Sequence, residues 1–531
     1  MMKIYNTAHL LLLALILLCT SCLDDDSTAG DRPVNDIAIS GLEESYTAIA
    51  YAGRHLKISP VVNTGYAASD MVYTWTLIDG KTGDVTSDGD TIQPRVIGHA
   101  KDLDYDMEVM PGNYKLRFEA RAKDNGYAAY ASMKLTVESN FSKGFYVVKE
   151  TADGNTDLDL LAADGTFTDN LLTRVDGTAL KGKPLSFAID YKMWYINPDN
   201  DQMESTNAVA LVTEDNRIEV RRLTDLKTVF DRSNLLFDTM PDDEKPYTIV
   251  NTAAGYLCYY SSKGIRVNYM SDFSSAGSGR YGVPKVVCGG SRFITQDLPS
   301  FGGTVFWDET AHTLMVTDYD TNATPMVYEN HTGGNLTTGL ASFDCLHIGY
   351  NIMNNVGTAT VILADKATGK RYLYLTKSDI NGIYLLRRVA VDEGLHMAKA
   401  TSFSTNGWSA KYIYCIDNGA VYACLWDNDK LTEVPISVQG IGTGEQIVYV
   451  GNQFWQGHKS AGDPFNYLVV GTQKGNDYAV YMYPLVGGAP QGQPVHTIRG
   501  TGRLYTVRYV SSGFDSSDWS NYNINVFNMN N

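Results

Sequence analysis

The chain has 531 residues, 44% of them hydrophobic and 19% charged, with a formal net charge of -17. A surface so acidic repels phosphate backbones, which excludes nucleic acid as an expected partner. The length admits several domains or one large repeat fold, and beyond the N-terminus no segment is long and apolar enough to span a bilayer.

Residues 1–21 read as an export signal and stand outside the fold. Lys3 supplies the positive start and Leu10 to Leu18 an unbroken apolar run. That run is about half of the roughly 20 residues a membrane-spanning helix requires. Cys19-Thr20-Ser21-Cys22 follows at once. Small residues before a cysteine suit a lipoprotein signal peptidase, so Cys22 is the expected lipidation site, its thiol diacylated and its freed amine acylated. Cys19 stands where such cleavage sites usually carry Leu. Lys3 is the only charge in the signal, so the mature chain is one unit more negative. Asp24, Asp25 and Asp26 come directly after Leu23. This acidic run resembles the surface-export signal of Bacteroidota lipoproteins, which implies the outer face of the outer membrane. As a block of like charges it also starts a solvated tether, assigned to residues 22–33.

Residues 34–139 read as a small all-β domain. Val72-Tyr73-Thr74-Trp75-Thr76-Leu77 alternates with period two, Pro111-Gly112-Asn113 turns, and Tyr114 to Ala120 alternates again. Asp124-Asn125-Gly126 turns once more before a last strand from Ala129 to Val137. About 100 residues of short strands suggest an immunoglobulin-like sandwich.

Residues 140–531 carry a repeat of hairpins. Gly144 to Val148 pairs with Leu158 to Leu161, Ala208 to Val212 with Arg217 to Val220, and Gly255 to Tyr259 with Ile265 to Val267. Thr304 to Trp307 faces Thr313 to Val316, and Ala359 to Leu363 faces Arg371 to Tyr374. Lys411 to Tyr414 faces Val421 to Ala423, and Tyr467 to Val470 faces Ala479 to Met482. Hairpins recurring about every 50 residues, with apolar text for one or two more strands between them, predict a β-propeller. Seven blades fit best, and six or eight are compatible; two stacked sandwiches are the alternative architecture. Leu504 to Val510 is a strand without a hairpin partner, expected to close the ring on the strand near Phe145.

Tyr73-Thr74-Trp75, Pro111-Gly112-Asn113-Tyr114, Lys123-Asp124 and Leu135-Thr136-Val137 together resemble a PKD domain, with its Trp on a central strand, P-G-x-Y turn and closing V-x-V strand. With the lipoprotein start and the long β-rich remainder, the chain resembles the PKD-like family lipoproteins of Bacteroidota. That resemblance implies a place beside SusC-like and SusD-like outer-membrane uptake systems. It transfers no catalytic residue.

Five cysteines remain in the body: Cys258, Cys288, Cys345, Cys415 and Cys424. They are odd in number, lack C-x-x-C spacing and lie mostly in apolar strand text, so they read as buried free thiols. Cys415 and Cys424 flank one turn but fall diagonally across it. The histidines show no metal-ligand spacing, and no nucleophile elbow or Walker loop occurs. Asp318, Asp320, Asn322 and Glu329 match positions of a calcium loop, but Ala323 stands where the loop needs Gly, so a solvated inter-strand loop is the expected reading. Asp199 and Asp201 form a similar acidic turn. No catalytic residue, metal site or cofactor is assigned.

Aromatics carry the binding expectation. Trp307 and Trp426 lie within hairpin strands and read as core. Trp408, Phe454 and Trp455 lie in polar, Gly-flanked text where a ring can stack on a sugar or grip a peptide side chain. The leading expectation is a non-enzymatic, ligand-binding or accessory component of a SusC/SusD-like, TonB-dependent uptake complex on the cell surface. Its ligand would be an oligopeptide or a neutral oligosaccharide. The alternatives are a surface glycan hydrolase, whose carboxylate pair would need to lie roughly 5–9.5 Å apart, and a structural protein-protein adaptor.

Overall fold

The computed structural model describes residues 35–51, 55–80, 82–83, 91, 93–197, 202–252, 256–269, 279–295, 298, 303–318, 321–327, 340–353, 356–379, 382–427, 430–455 and 464–510. Cys22, Asp24, Asp25, Asp26, Asp199, Asp201, Asp320, Glu329, His331, His458 and Trp519 lie outside the described residues, as do the signal and tether assigned to 1–33. The described chain is almost wholly β and divides into two compact units. One holds the described residues up to Ala48 with His55–Asp106 and Gly112–Thr136; the other runs on from Val137 and includes Met107–Pro111. Among the described residues no helix is long and apolar enough to cross a membrane.

The first unit is the immunoglobulin-like, PKD-like sandwich. Its five-stranded sheet orders Ser45–Ile49, Ala128–Glu138, Gly112–Ala122, Met71–Ile78 and Arg95–Gly98, and two two-stranded sheets accompany it. In Gly112–Ala122, Leu116, Phe118, Ala120 and Ala122 are buried while their neighbours are less covered. That alternation is what an antiparallel sheet with one solvated face requires. Trp75 is fully buried against Phe118, ring centroids 4.5 Å apart, and its indole N–H donates to the carbonyl of Ala100.

The second unit is a β-propeller. Its described residues form seven antiparallel sheets, and each of the seven hairpins read from the sequence lies in one of them. Here the strands are not amphipathic: Gly144, Phe145, Tyr146, Val147, Val148 and Lys149 are all buried. A blade is covered on both faces by its neighbours, so its central strands read as continuous apolar runs. The packing follows chain order. Val220 of the second sheet meets Ile249 and Tyr259 of the third, whose Tyr260 meets Phe306 of the fourth. Trp307 of the fourth meets Ile348 of the fifth, Ile362 of the fifth meets Ile413 of the sixth, and Tyr414 of the sixth meets Leu468 of the seventh. Val480 of the seventh returns to Val147 and Val507 of the first. Tyr146 of the first against Phe187 of the second, centroids 5.8 Å apart, completes the circuit.

The circuit is sealed by the C-terminal strand. Arg503–Val510 pairs antiparallel with Gly144–Glu150, Tyr509 opposite Phe145, and becomes the inner strand of the first sheet, as the unpartnered strand text predicts. Turn chemistry sets the register locally. Asn418 and Gly419 both take positive φ between the paired Asp417 and Ala420, the two-residue turn whose twist matches that of the strands. One departure from strand text is a six-residue helix, Leu171–Asp176. The fully buried Asp157 carboxylate accepts from the Leu172 amide at 2.9 Å and from the Thr173 hydroxyl at 2.6 Å, doing the capping work that Asn170 does not.

All five body cysteines are free thiols. Burial pushes the Cys288 thiol up to about 11 and that of Cys424 to about 12, so both stay protonated. Cys415 pairs with Tyr422 and Cys424 with Ile413, the diagonal offset expected from the turn.

Candidate functional site: the axial cavity of the propeller

The sequence places its binding aromatics in exposed loops, and the structure corrects this. Phe454 and Trp455 end the inner strand Gln446–Trp455 of the seventh sheet and are 0% and 1% exposed. Trp455 packs between the seventh and first sheets, and Phe454 packs with the fourth and fifth. The polar text around them misled because a blade's inner strand mixes apolar residues with buried hydrogen-bonding ones. Asn452 and Gln453 are also fully buried: Asn452 Oδ1 accepts from the Gly407 amide at 2.8 Å, and Gln453 Oε1 from the Tyr509 amide at 2.9 Å. Trp408 does follow a strand in a loop, half-buried and stacked on Phe454 at 6.1 Å. A Cβ on Gly407 would sit 2.2 Å from the Phe454 ring, so the loop is seated on that ring. Trp307 and Trp426 are core, as expected. Asp318 and Asn322 close a turn on each other, the Asn322 amide donating to Asp318 Oδ1 at 2.8 Å. Among the described residues no three His, Cys, Asp or Glu side chains gather as a metal site would need.

A recurring device is missed by motif reading. Inner strands end in Asn251 and Asn351, Asn406 follows the one ending at Thr405, and Asn452 lies near the end of Gln446–Trp455; all four are buried. Asn251 donates to the Ile189 carbonyl, and Asn351 donates to the carbonyls of Asn406 and Ala410. These amides stitch neighbouring sheets together. The signal was present as an Asn at the end of successive apolar runs. In the second sheet, Asp190 takes the matching place, opposite Ala208. It is fully buried, neither of its carboxyl oxygens has a hydrogen-bond partner among the described residues, and desolvation pushes its pKa up to about 8.

Asp190 is therefore neutral at pH 7, and this has a measurable consequence. Its folded pKa lies above its unfolded value of about 3.9, so its contribution is full below about pH 4 and lost as pH rises through about 8. Asp190→Asn supplies the amide that the other sheets use. The variant should match the parent near pH 4 and exceed its stability at pH 9 by on the order of a few kcal/mol. Denaturation curves at the two pH values check this; a parent as stable as the variant at pH 9 would mean the carboxyl is not held neutral.

The inner strands of several sheets converge on an open cavity of about 310 Å³. Phe187 comes from the second sheet, Phe403 from the sixth, Tyr449 from the seventh, and Tyr505 and Arg508 from the first. Arg292 and Phe293 precede Ile294, which is bridged to Phe306 of the fourth. A space walled by strands from so many parts of the ring lies on its axis, where a propeller offers a built concavity. The Tyr505 hydroxyl donates to the carbonyl of Leu185. Burial pushes the Tyr505 phenol up, against the pull of Arg292 and Arg508. The Arg292 guanidinium also stands 5.1 Å from the centroid of the Phe293 ring. Tyr449 donates to the Val507 carbonyl at 3.4 Å, and its hydroxyl meets that of Thr506 at 3.3 Å. These contacts hold the aromatic wall in place before any ligand arrives.

A second cavity, of about 360 Å³, opens between the fifth and sixth sheets, bordered by Asn351, Leu386, Arg387, Lys411 and Trp426. Its charges are matched: Lys411 pairs with Asp427, and Arg387 donates to the Trp426 carbonyl at 2.5 Å.

Fold and cavity together define a propeller with an axial pocket, preceded in the chain by a PKD-like sandwich. Residues 22–184 match the model of the PKD-like family. No curated protein matches the chain. Among solved structures, the chain is similar to a quinonprotein alcohol dehydrogenase-like protein from Bacteroides thetaiotaomicron, at 13% identity and TM-score 0.44, covering 87% of this chain and 95% of that one. It is also similar to an auxiliary nutrient binding protein from Bacteroides thetaiotaomicron, at 13% identity and TM-score 0.26, covering 76% and 85%. The Dos1 propeller aligns at 10% identity and TM-score 0.31, covering 67% and 87%. Likenesses this distant assign no ligand and no activity to this chain.

Proposed function

We propose that this protein is a non-enzymatic, surface-exposed lipoprotein that captures nutrient oligomers for a SusC/SusD-like, TonB-dependent transporter in the outer membrane. The observation that carries the reading is the axial cavity, a preformed concavity that sets an aromatic wall beside two arginines and several hydroxyl groups. The lipoprotein signal ending at Cys22 and the PKD-like match over residues 22–184 support the placement beside an uptake system. A tethered binder raises the local ligand concentration at a neighbouring transporter without new chemistry.

Lipidation, surface access, binding and turnover can each be measured to test it. Cys22→Ala should abolish incorporation of labelled palmitate and release the protein from membranes, whereas neutral residues in place of Asp24, Asp25 and Asp26 should leave lipidation intact and reduce protease access on whole cells. Continued labelling of the Cys22→Ala protein would refute the anchor. Calorimetry with mixed oligopeptides and oligosaccharides should show saturable binding, and chromatography of the same mixtures after long incubation should show no new products. Cleavage that depends on a single Asp or Glu would replace the binding reading with a hydrolase.

A further inference from the structure

The chain is strongly acidic, yet the axial cavity presents the opposite charge. Arg292 and Arg508 line it, and among the described residues no Asp or Glu does. Neither guanidinium forms an ion pair among the described residues: Glu309 feels the charge of Arg292 without forming a salt bridge to it. Arg508 is the sharper case. Its Nη1 is buried and has no hydrogen-bond acceptor among the described residues. Leaving such a donor unmatched is unfavourable, the more so for a charged group. An acceptor delivered by a ligand removes that penalty, so the site favours a partner that brings one.

We propose that the axial cavity recognises a carboxylate on the bound oligomer, with Arg508 and Arg292 as its receptors; this rests on the binding function proposed above. The planar guanidinium matches the two oxygens of a carboxylate. Phe187, Phe403 and Tyr449 supply flat apolar surface for the ring or side chain that carries the acid. A cavity of about 310 Å³ suits one terminal residue, not a long segment. The surrounding negative charge opposes a dianion such as phosphate more strongly than a monoanion. Two sources present this chemistry: the free C-terminus of an oligopeptide and a uronic acid of an oligosaccharide. The sequence-based preference for neutral ligands follows the net charge, whereas the cavity follows its two local cations.

The test uses the full chain in detergent and two probe pairs: tetra-alanine with a free or amidated C-terminus, and trigalacturonate against its methyl ester. The free acid of at least one pair should bind more tightly than its neutral twin by about tenfold or more, the worth of one charge-assisted contact. The pair that discriminates names the source. Arg508→Gln should remove that discrimination while leaving the melting temperature unchanged, and Arg292→Lys, which keeps charge but loses the fork, should reduce it. Equal binding of acid and neutral twin in the parent protein overturns the inference even if no variant can be purified. So does inorganic phosphate that competes better than acetate. If the free acids bind equally well to parent and Arg508→Gln, the carboxylate receptor fails while the binding function stands. If none of the probes nor any mixed oligomer binds, both fail.

Discussion

Replacing Lys149 with methionine should destabilise the propeller by about 3–5 kcal/mol at pH 8, the range for breaking a buried ion pair from one side. Lys149 and Asp159 are 1% and 0% exposed, with Nζ 2.6 Å from Oδ1 and 2.9 Å from Oδ2. The same carboxylate accepts the amide of Asn170 at 2.7 Å and the hydroxyl of Tyr478. Lys149 and Asp159 belong to the first sheet and Tyr478 to the seventh, so one buried charge ties together the sheets at which the ring closes. Methionine fills similar space but leaves Asp159 charged and short of its cation. Against a typical total of about 5–15 kcal/mol, this is a large fraction.

The pH dependence separates this account from simple loss of packing. Burial outweighs the pull of Lys149 and holds the Asp159 carboxyl above its ordinary value. A raised folded pKa means stability that is present at low pH and lost as pH rises through that pKa. Without Lys149 the carboxyl rises further, so the Lys149→Met deficit should be smallest near pH 5 and grow toward pH 8. Adding Asp159→Asn, which keeps an acceptor for Tyr478 and Asn170 without the charge, should recover more than half of the loss at pH 8. Urea denaturation of the parent, the single variant and the double variant at both pH values is decisive. A Lys149→Met protein as stable as its parent at pH 8 would show that the pair contributes nothing net.

The architecture was legible because propeller blades repeat. A turn signal such as Asn418-Gly419 between apolar runs marks a hairpin wherever it occurs, and recurrence of the pattern along the chain implies ring packing. The unpartnered run from Leu504 to Val510 even located the closing strand. The binding cavity was not legible, for a physical reason. Its walls are single residues from strands far apart in the chain, such as Phe187, Arg292, Phe403 and Arg508, and nothing local marks them as neighbours. Arg508 sits in Leu504-Tyr505-Thr506-Val507-Arg508-Tyr509-Val510, where one charge in an apolar strand reads as an edge device. The polarity around Phe454 misled in the opposite sense. Asn452 and Gln453 are polar because they bond neighbouring sheets, and in sequence that is indistinguishable from a solvated loop. Asp190 was silent too, since a carboxyl held neutral by burial looks in sequence like any other Asp.

A chain ending at Gly502 should fail to hold the propeller fold, whereas one ending at Val510 serves as its reference. The strand removed, Arg503–Val510, buries Leu504, Val507, Tyr509 and Val510, with Val507 and Val510 at 0% exposure. Each fully buried side chain of this size stabilises the fold by about 1.5–3 kcal/mol. Their sum rivals the whole stability of an ordinary domain. The loss would not stay local. Removing the strand bares the edge of Gly144–Glu150 along its paired length, strips the Val507 contact from the cluster that joins the first and seventh sheets, and deprives Gln453 of the Tyr509 amide. An open ring has two unpaired faces where a closed one has none, and exposed strand edges pair with other chains. The Gly502 protein should therefore aggregate or unfold at temperatures where the Val510 protein is native, and should lose near-ultraviolet dichroism from aromatics remote from the cut, such as Trp307. Val507→Asp in the full chain, a buried charge at the centre of the same strand, should move the melting temperature in the same direction without shortening the chain. If the two truncated proteins melt together, the strand is not what closes the ring. If the Gly502 chain loses only the signals of the first and seventh sheets while Trp307 keeps its native environment, closure is a local reinforcement, and the blades are held by their neighbours alone.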